Sequence, residues 1–126
     1  MPRVVPSADL TQLDPGFASI VITHSYGLMV YETLFAWDNK LQPKPQMVRD
    51  WSTSPDQLIW RFILRPGLKF HDGQRVTTAD VIPSLQRWML RDVVGQKLAA
   101  SVTGMDAVDP NTFDIKLSKP YPAMLF

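Results

Sequence analysis

The chain of 126 residues has no cysteine. That excludes a disulfide framework, a thiolate metal site and a cysteine nucleophile, and leaves an oxidising compartment open. Histidine is scarce, two in all, so there is little material for an imidazole metal site. Charge of one sign is lacking: 13 Lys and Arg against 12 Asp and Glu give a net charge of +1. Nucleic acid, which calls for a basic patch or stripe, has no electrostatic support. Long apolar runs are lacking too. Stretches such as Ala18 to Val21 and Ile20 to Ile22 fall far short of the roughly 20 residues that carry a helix across a bilayer. The opening Met1-Pro2-Arg3-Val4-Val5-Pro6 has neither the apolar core nor the small-residue cleavage site of a signal peptide. A cytosolic protein and an exported one supplied without its signal both fit.

What is present is an apolar fraction of 45%, enough for a packed core in about one domain. Proline is in excess, 11 residues, or about 9% against a usual 5%. The prolines are scattered, so they punctuate short elements and form no polyproline tract. Arg3 to Pro6 reads as an edge strand, and Leu13-Asp14-Pro15-Gly16 as a turn. From about Ser25, the spacing of Tyr26, Met29, Val30, Thr33 and Leu34 predicts a helix that ends in the polar turn Trp37-Asp38-Asn39-Lys40. Leu41 to Pro45 reads as an extended connection.

Short strands follow. Trp51 to Ser54 and the β-branched, aromatic run Leu58 to Leu64 flank a turn at Pro55-Asp56-Gln57. Trp60, Phe62 and Leu64 share one face of that run, with Ile59, Arg61 and Ile63 on the other. Arg65-Pro66-Gly67 turns the chain into Lys69-Phe70 and then into His71-Asp72-Gly73, extending a β-meander. Thr77-Thr78-Ala79-Asp80 has the form of a capping box. The helix it opens has an apolar stripe of Val81, Leu85, Trp88 and Met89, a wet face of Gln86, Arg87 and Arg91, and an anomalous Pro83. Val93 to Ala100 predicts a second helix weakened by Gly95. Val102 to Val108 and Thr112 to Ser118, around Asp109-Pro110-Asn111, predict a hairpin. The apolar run Ala123 to Phe126 reads as a helix cut in its first turn.

Chemistry-bearing patterns are thin. His71-Asp72-Gly73 could orient an imidazole, yet adjacent residues of a turn point apart, and Asp-Gly is foremost a turn signal. His24 is a lone surface or cleft residue at a helix start. Gly67 and Gly73 stand singly, so no phosphate loop is present. Asp106 and Asp109 lie in or beside a hairpin turn, where water solvates them. Trp51, Trp60 and Trp88 read as core, while Trp37 packs at a helix end or faces a cleft. Arg61 and Arg65 could grip a carboxylate with their forked donors; the plainer reading is the surface of an edge strand. These patterns argue against an enzyme, and no cofactor is expected.

The order of the elements resembles bacterial family 5 solute-binding proteins, the extracytoplasmic oligopeptide- and dipeptide-binding components of ABC importers. The likeness runs through Leu13-Asp14-Pro15, Val30-Tyr31-Glu32-Thr33-Leu34-Phe35, Pro45 to Trp51 and Ser54-Pro55-Asp56. It is strongest in Trp60 to Gly73 and Val76 to Val81, and continues through Val108 to Phe113 and Ser118-Lys119-Pro120. Pro83 departs from the pattern, where a helix former would stand.

The resemblance implies a mixed α/β (α+β) fold of the periplasmic-binding-protein class, a small sheet of short antiparallel strands packed by two or three helices. Residues 1–40 would be the strand, turn and helix of a first lobe. Residues 41–126 would form a small extra α/β domain with meander, capped helix and hairpin, the remainder of the receptor being absent. It further implies a periplasmic location, a peptide ligand in the full-length protein and ABC permease membrane subunits as partners. Relatives in the family also take nickel, haem, sugars or glutathione. Ligand contacts in such relatives come partly from the stretch before the first helix, which maps to Ser19, Val21, Ile22, Thr23 and His24. An extended segment there would offer backbone groups to a peptide by strand addition. Self-association of the fragment through its inter-lobe face is a further expectation. The alternative is a free-standing small α/β module for protein–protein contact, or the remnant of a split gene, with no transport role.

Overall fold

In the computed structural model, residue 9, residues 11–15 and residues 21–125 are described. The expected edge strand Arg3–Pro6, Gly16 of the first turn and Ser19 lie outside them. The central feature is a four-stranded antiparallel sheet in the order β3-β4-β6-β5, made of β3 (Val48–Thr53), β4 (Ile59–Leu64), β5 (Val102–Asp109) and β6 (Thr112–Leu117). Alternation decides which side is covered. Phe62 and Leu64 of β4 and Phe113, Ile115 and Leu117 of β6 are buried on one face. Leu68, Val76, Val81, Met89 and Leu98 complete that core. Two helices supply the last three: α2 (Thr78–Arg91) and α3 (Val93–Ala99). The mixed helix-and-sheet fold inferred from the sequence is present.

Local chemistry explains the boundaries. The Thr77 N–H donates to the Asp80 carboxylate at 2.8 Å, the carboxylate half of a capping box, and opens α2 where the sequence places it. Pro83 stands inside α2, exposed on the surface of the helix. Asp92 starts α3 by accepting from the N–H groups of Val94 and Gly95 at 2.8 and 3.0 Å. Gly95 does more than weaken a helix. A Cβ there would lie 2.7 Å from the Trp88 carbonyl oxygen and 2.9 Å from the Met89 Cα, so this glycine lets the α2–α3 elbow close.

Four expectations are corrected. The first helix, α1, spans Val21–Val30 and starts earlier than Ser25; Thr33 and Leu34 lie past its end. Its buried residues are Thr23 and Gly27, not an apolar stripe. Trp37 closes a short strand, not a helix: β1 (Phe35–Trp37) pairs with β2 (Pro43–Pro45) as a two-stranded hairpin. Lys69 and Phe70 contribute a single bridge, Lys69 to Arg75, and no further strand of the meander. Trp51 is surface-exposed, because β3 is an edge strand that buries only Val48. Its ring meets Phe35 edge-on at 5.3 Å, and Phe35 meets Phe62 at 6.1 Å, so the hairpin leans on the sheet through aromatic contacts.

Candidate functional site

The polar face of the sheet is the first place where charged groups converge. β4 is an inner strand, so Arg61 is not at an edge. Its Nε and Nη2 donate to the two carboxylate oxygens of Asp114, both at 2.7 Å. This hydrogen-bonded pairing holds the Asp114 carboxyl below its ordinary range and raises the Arg61 guanidinium. Asp106 lies directly across from Asp114 in the register, a like-charge juxtaposition that costs stability unless answered. Lys116 answers it, with its Nζ 2.8 Å from Asp106. The fork of Arg61 is thus occupied within the chain, and Arg65 likewise donates to Glu32 at 2.6 and 2.7 Å. Each arginine thus has a carboxylate partner within the chain.

The His71-Asp72-Gly73 segment is a turn, as read. Gly73 has φ of +87°, and the Asp72 carboxylate accepts from the Gln74 N–H at 2.9 Å. Asp109 accepts from the Asn111 N–H at 2.7 Å, which lowers its carboxyl below the ordinary value. Among the described residues, no group of three or more His, Asp or Glu is placed to hold a metal ion, and no helix is long and apolar enough to cross a membrane.

A cleft of about 450 Å³ lies between α1 and the α2–α3 elbow, lined by Val21, His24, Ser25, Leu28, Asp92, Val93 and Val94. Two of the residues named as ligand contacts, Val21 and His24, fall on it. Ile22 is half-buried, and Thr23 is wholly buried with its hydroxyl donating to the Gln12 carbonyl at 2.8 Å. Thr23 therefore ties Gln12 to the helix. The expected extended backbone is not there: Val21, Ile22, Thr23 and His24 form the first turn of α1. Strand addition along them is unavailable, because helical carbonyls turn inward to their own amides. The sequence reading missed Ser25, Leu28 and Asp92–Val94 as lining residues. Asp92 ahead of an apolar pair carried a legible N-cap signal; the meeting of α1 with the elbow, a contact across about 70 residues of chain, had none.

Residues 12–15 are held against the helices. Asp14 pairs with Arg87 of α2, and Pro15 sits against Gly27, where an added Cβ would be 3.0 Å from two ring carbons. Glu32, just past α1, reaches Arg65 at the end of β4. These contacts set the position of α1 over the elbow.

This arrangement of sheet, elbow and helix is that of periplasmic binding proteins. It superposes on the PBP/SBP MoaA of A. tumefaciens R10, solved in complex with mannopinic acid, with a TM-score of 0.82 and 30% identity over 93% of this chain and 25% of that one. Listeria monocytogenes OppA, solved bound to peptide, shares the fold with a TM-score of 0.82 at 22% identity, over 93% of this chain and 26% of that one. The chain belongs to the bacterial extracellular solute-binding proteins, family 5, whose middle-region model matches residues 42–126. In sequence it is 38% identical to the probable peptide ABC transporter periplasmic-binding protein y4tO of Sinorhizobium fredii, over 92% of this chain and 22% of that protein. It is 27% identical to the glutathione-binding protein GsiB of Escherichia coli, over 97% of this chain and 24% of that protein. The chain thus spans about a quarter of the length of these relatives, both named as binding proteins.

Proposed function

We propose that these 126 residues are the N-terminal portion of a receptor that captures oligopeptides outside the cytoplasmic membrane and delivers them to an ABC permease. The observation that carries this reading is the 38% identity to a probable peptide-binding protein across nearly the whole chain. No catalytic role is assigned, since the acids and arginines described above are committed to structural pairs. Residues 1–40 would belong to a first lobe and residues 41–126 to the small extra domain. The β1–β2 hairpin, Phe35–Pro45, crosses that line and stitches the two parts together.

Of the residues first named as ligand contacts, Val21 and His24 keep that role here, as the exposed members of the cleft. Thr23 acts one step removed, by tying down Gln12. The contact with peptide is made by side chains on a helical turn and not by a free strand. In the test, the protein at its natural length is purified from cells grown in peptide-rich medium, and the small molecules released on denaturation are identified by mass spectrometry. Peptides of a few residues are expected in near-stoichiometric amount. Ligand-free protein, or an opine such as the mannopinic acid seen with MoaA, would overturn the peptide assignment.

A further inference from the structure

The His71-Asp72-Gly73 turn takes no part in the cleft. It closes a short hairpin in which Lys69 bridges to Arg75 and the Phe70 N–H donates to the Gln74 carbonyl at 2.8 Å. At its base the Val76 N–H donates to the Leu68 carbonyl at 3.1 Å. Leu68 and Val76 are buried in the core, whereas His71, Asp72 and Gly73 at the tip are exposed. Asp72 is the one aspartate in the sequence that is followed by glycine, and neither asparagine is. That pairing matters chemically. The nitrogen of a glycine has no side chain crowding it, so it reaches the carboxyl carbon of the residue before it more easily than other amides do. The space around Gly73 is open as well, with no atom within 4 Å of where a Cβ would stand.

The reaction open to this pair needs no reagent but water. The Gly73 nitrogen attacks Cγ of the protonated Asp72 carboxyl and a C–N bond forms. The amide proton and the carboxyl hydroxyl leave together as water, which closes a succinimide ring. Water then opens the ring at either carbonyl. Opening at the former main-chain carbonyl leaves the chain running through Asp72 Cβ and Cγ, an isoaspartate of unchanged mass whose main chain is longer by a methylene. In the folded turn both reacting groups are engaged elsewhere. The Gly73 N–H donates to the Phe70 carbonyl at 2.9 Å, and the Asp72 carboxylate accepts from the Gln74 N–H at 2.9 Å. Gly73 is held at φ of +87°. The Arg75 guanidinium ties the returning arm to the Asn111 side chain at 2.7 Å. The turn has to open before the ring can close.

We propose that Asp72–Gly73 is a site of spontaneous isoaspartate formation that the folded turn holds closed, so that conversion there records the time the chain spends with this turn open. In the test, the protein at its natural length is aged at neutral pH, folded in buffer and unfolded in guanidinium chloride, and then digested. Peptides of equal mass that carry residue 72 are separated by chromatography, and the isoaspartate is located by fragmentation. Conversion of the folded protein is expected to be at least about tenfold slower than that of the unfolded chain, because it proceeds only through the open fraction. Arg75 is exposed and outside the core. Arg75→Ala removes the tie to Asn111 and is expected to raise the folded rate about threefold, with melting temperature nearly unchanged. Equal rates in folded and unfolded wild type overturn the proposal. So does a folded Arg75→Ala protein that converts at the wild-type rate, which shows that this turn is not the gate. An unfolded chain with no more isoaspartate at Asp72 than at its other aspartates overturns the assignment of the site itself.

Discussion

The four-stranded sheet hides a set of apolar side chains completely, whereas α1 leaves most of its aliphatic side chains exposed. Phe113 has no exposed surface and Phe62, Leu64 and Val48 have almost none, while Val21 and Leu28 of α1 are 77% and 73% exposed. The two regions are stabilised differently. Residues 48–117 enclose their own core, so hydrophobic burial holds them together. Helix α1 is fixed by polar and steric contacts, the Thr23 hydroxyl and the Gly27–Pro15 approach, with ion pairs at the flanking residues Asp14 and Glu32. An isolated helix of ten residues is marginal in water. Removing a buried side chain should therefore unfold the sheet, while weakening a surface contact should free α1 and leave the sheet standing.

The largest effect is expected from Phe113→Ala. Phe113 lies stacked on Phe62 at 5.3 Å in the middle of the sheet. Truncating it should cost about 3–5 kcal/mol, read as a fall in the urea midpoint and a loss of cooperativity in the sheet. Leu28→Ala in α1, by contrast, should leave the midpoint nearly unchanged. Equal effects from the two would erase the distinction between the regions.

Gly95→Ala comes next and acts at the seam between them. The added methyl would collide with backbone atoms of Trp88 and Met89, which cannot swing aside as a side chain could. A cost of about 1–3 kcal/mol is expected, along with a reshaped cleft, since Val93 and Val94 ride on the displaced elbow. Hydrogen exchange should show faster opening of α3 and an unchanged β4–β6 ladder. Protection equal to wild type throughout α3 would contradict the tight elbow.

Acid should separate the regions as well. Asp114 accepts two hydrogen bonds from Arg61, which depress its carboxyl in the folded state. A group lowered on folding stabilises above its unfolded value, about 3.9, and that contribution is lost as pH falls through the folded value. The sheet of wild type should therefore lose stability below about pH 4 more steeply than Asp114→Asn, which starts lower at neutral pH and has less to lose. Parallel acid limbs for the two proteins would show that the pair contributes little.

The contrast between the regions also marks what could be read in the sequence. Alternation in Leu58 to Leu64 and Thr112 to Ser118, the Thr77–Asp80 cap and the Asp109-Pro110-Asn111 turn are local signals, and the structure has the elements they predict. The α1 region misled because Tyr26, Met29 and Val30 have helical spacing without a buried face, and because a buried threonine and glycine carry no hydrophobic signature. Arg61 is at the surface as read, but its partner Asp114 lies 53 positions away and is brought beside it only by β6. Val21 and His24 came from the resemblance, but Asp92, Val93 and Val94 join them only through the tertiary meeting of α1 with the elbow.

The smallest effect sharpens the comparison most, because it changes no residue. The ion pairs that fix α1, Asp14–Arg87 and Glu32–Arg65, have well-exposed side chains on both partners. Asp114, at the centre of the polar sheet face, is largely covered. Raising ionic strength from 0.1 to 1 M shortens the screening length from about 10 to about 3 Å, which weakens exposed pairs while leaving apolar burial intact or strengthened. Amides of α1 should then exchange roughly two- to fivefold faster, with Phe62, Phe113 and their neighbours unchanged or slower. The Gln12–Thr23 hydrogen bond and the Pro15–Gly27 contact do not depend on salt, and they keep the effect small. If α1 exchanged at the same rate in both buffers, these two contacts and not the charges would be what holds the helix over the cleft. The double variant Asp14→Asn, Glu32→Gln should reproduce the high-salt exchange of α1 at 0.1 M salt, since it removes both pairs without touching either neutral contact.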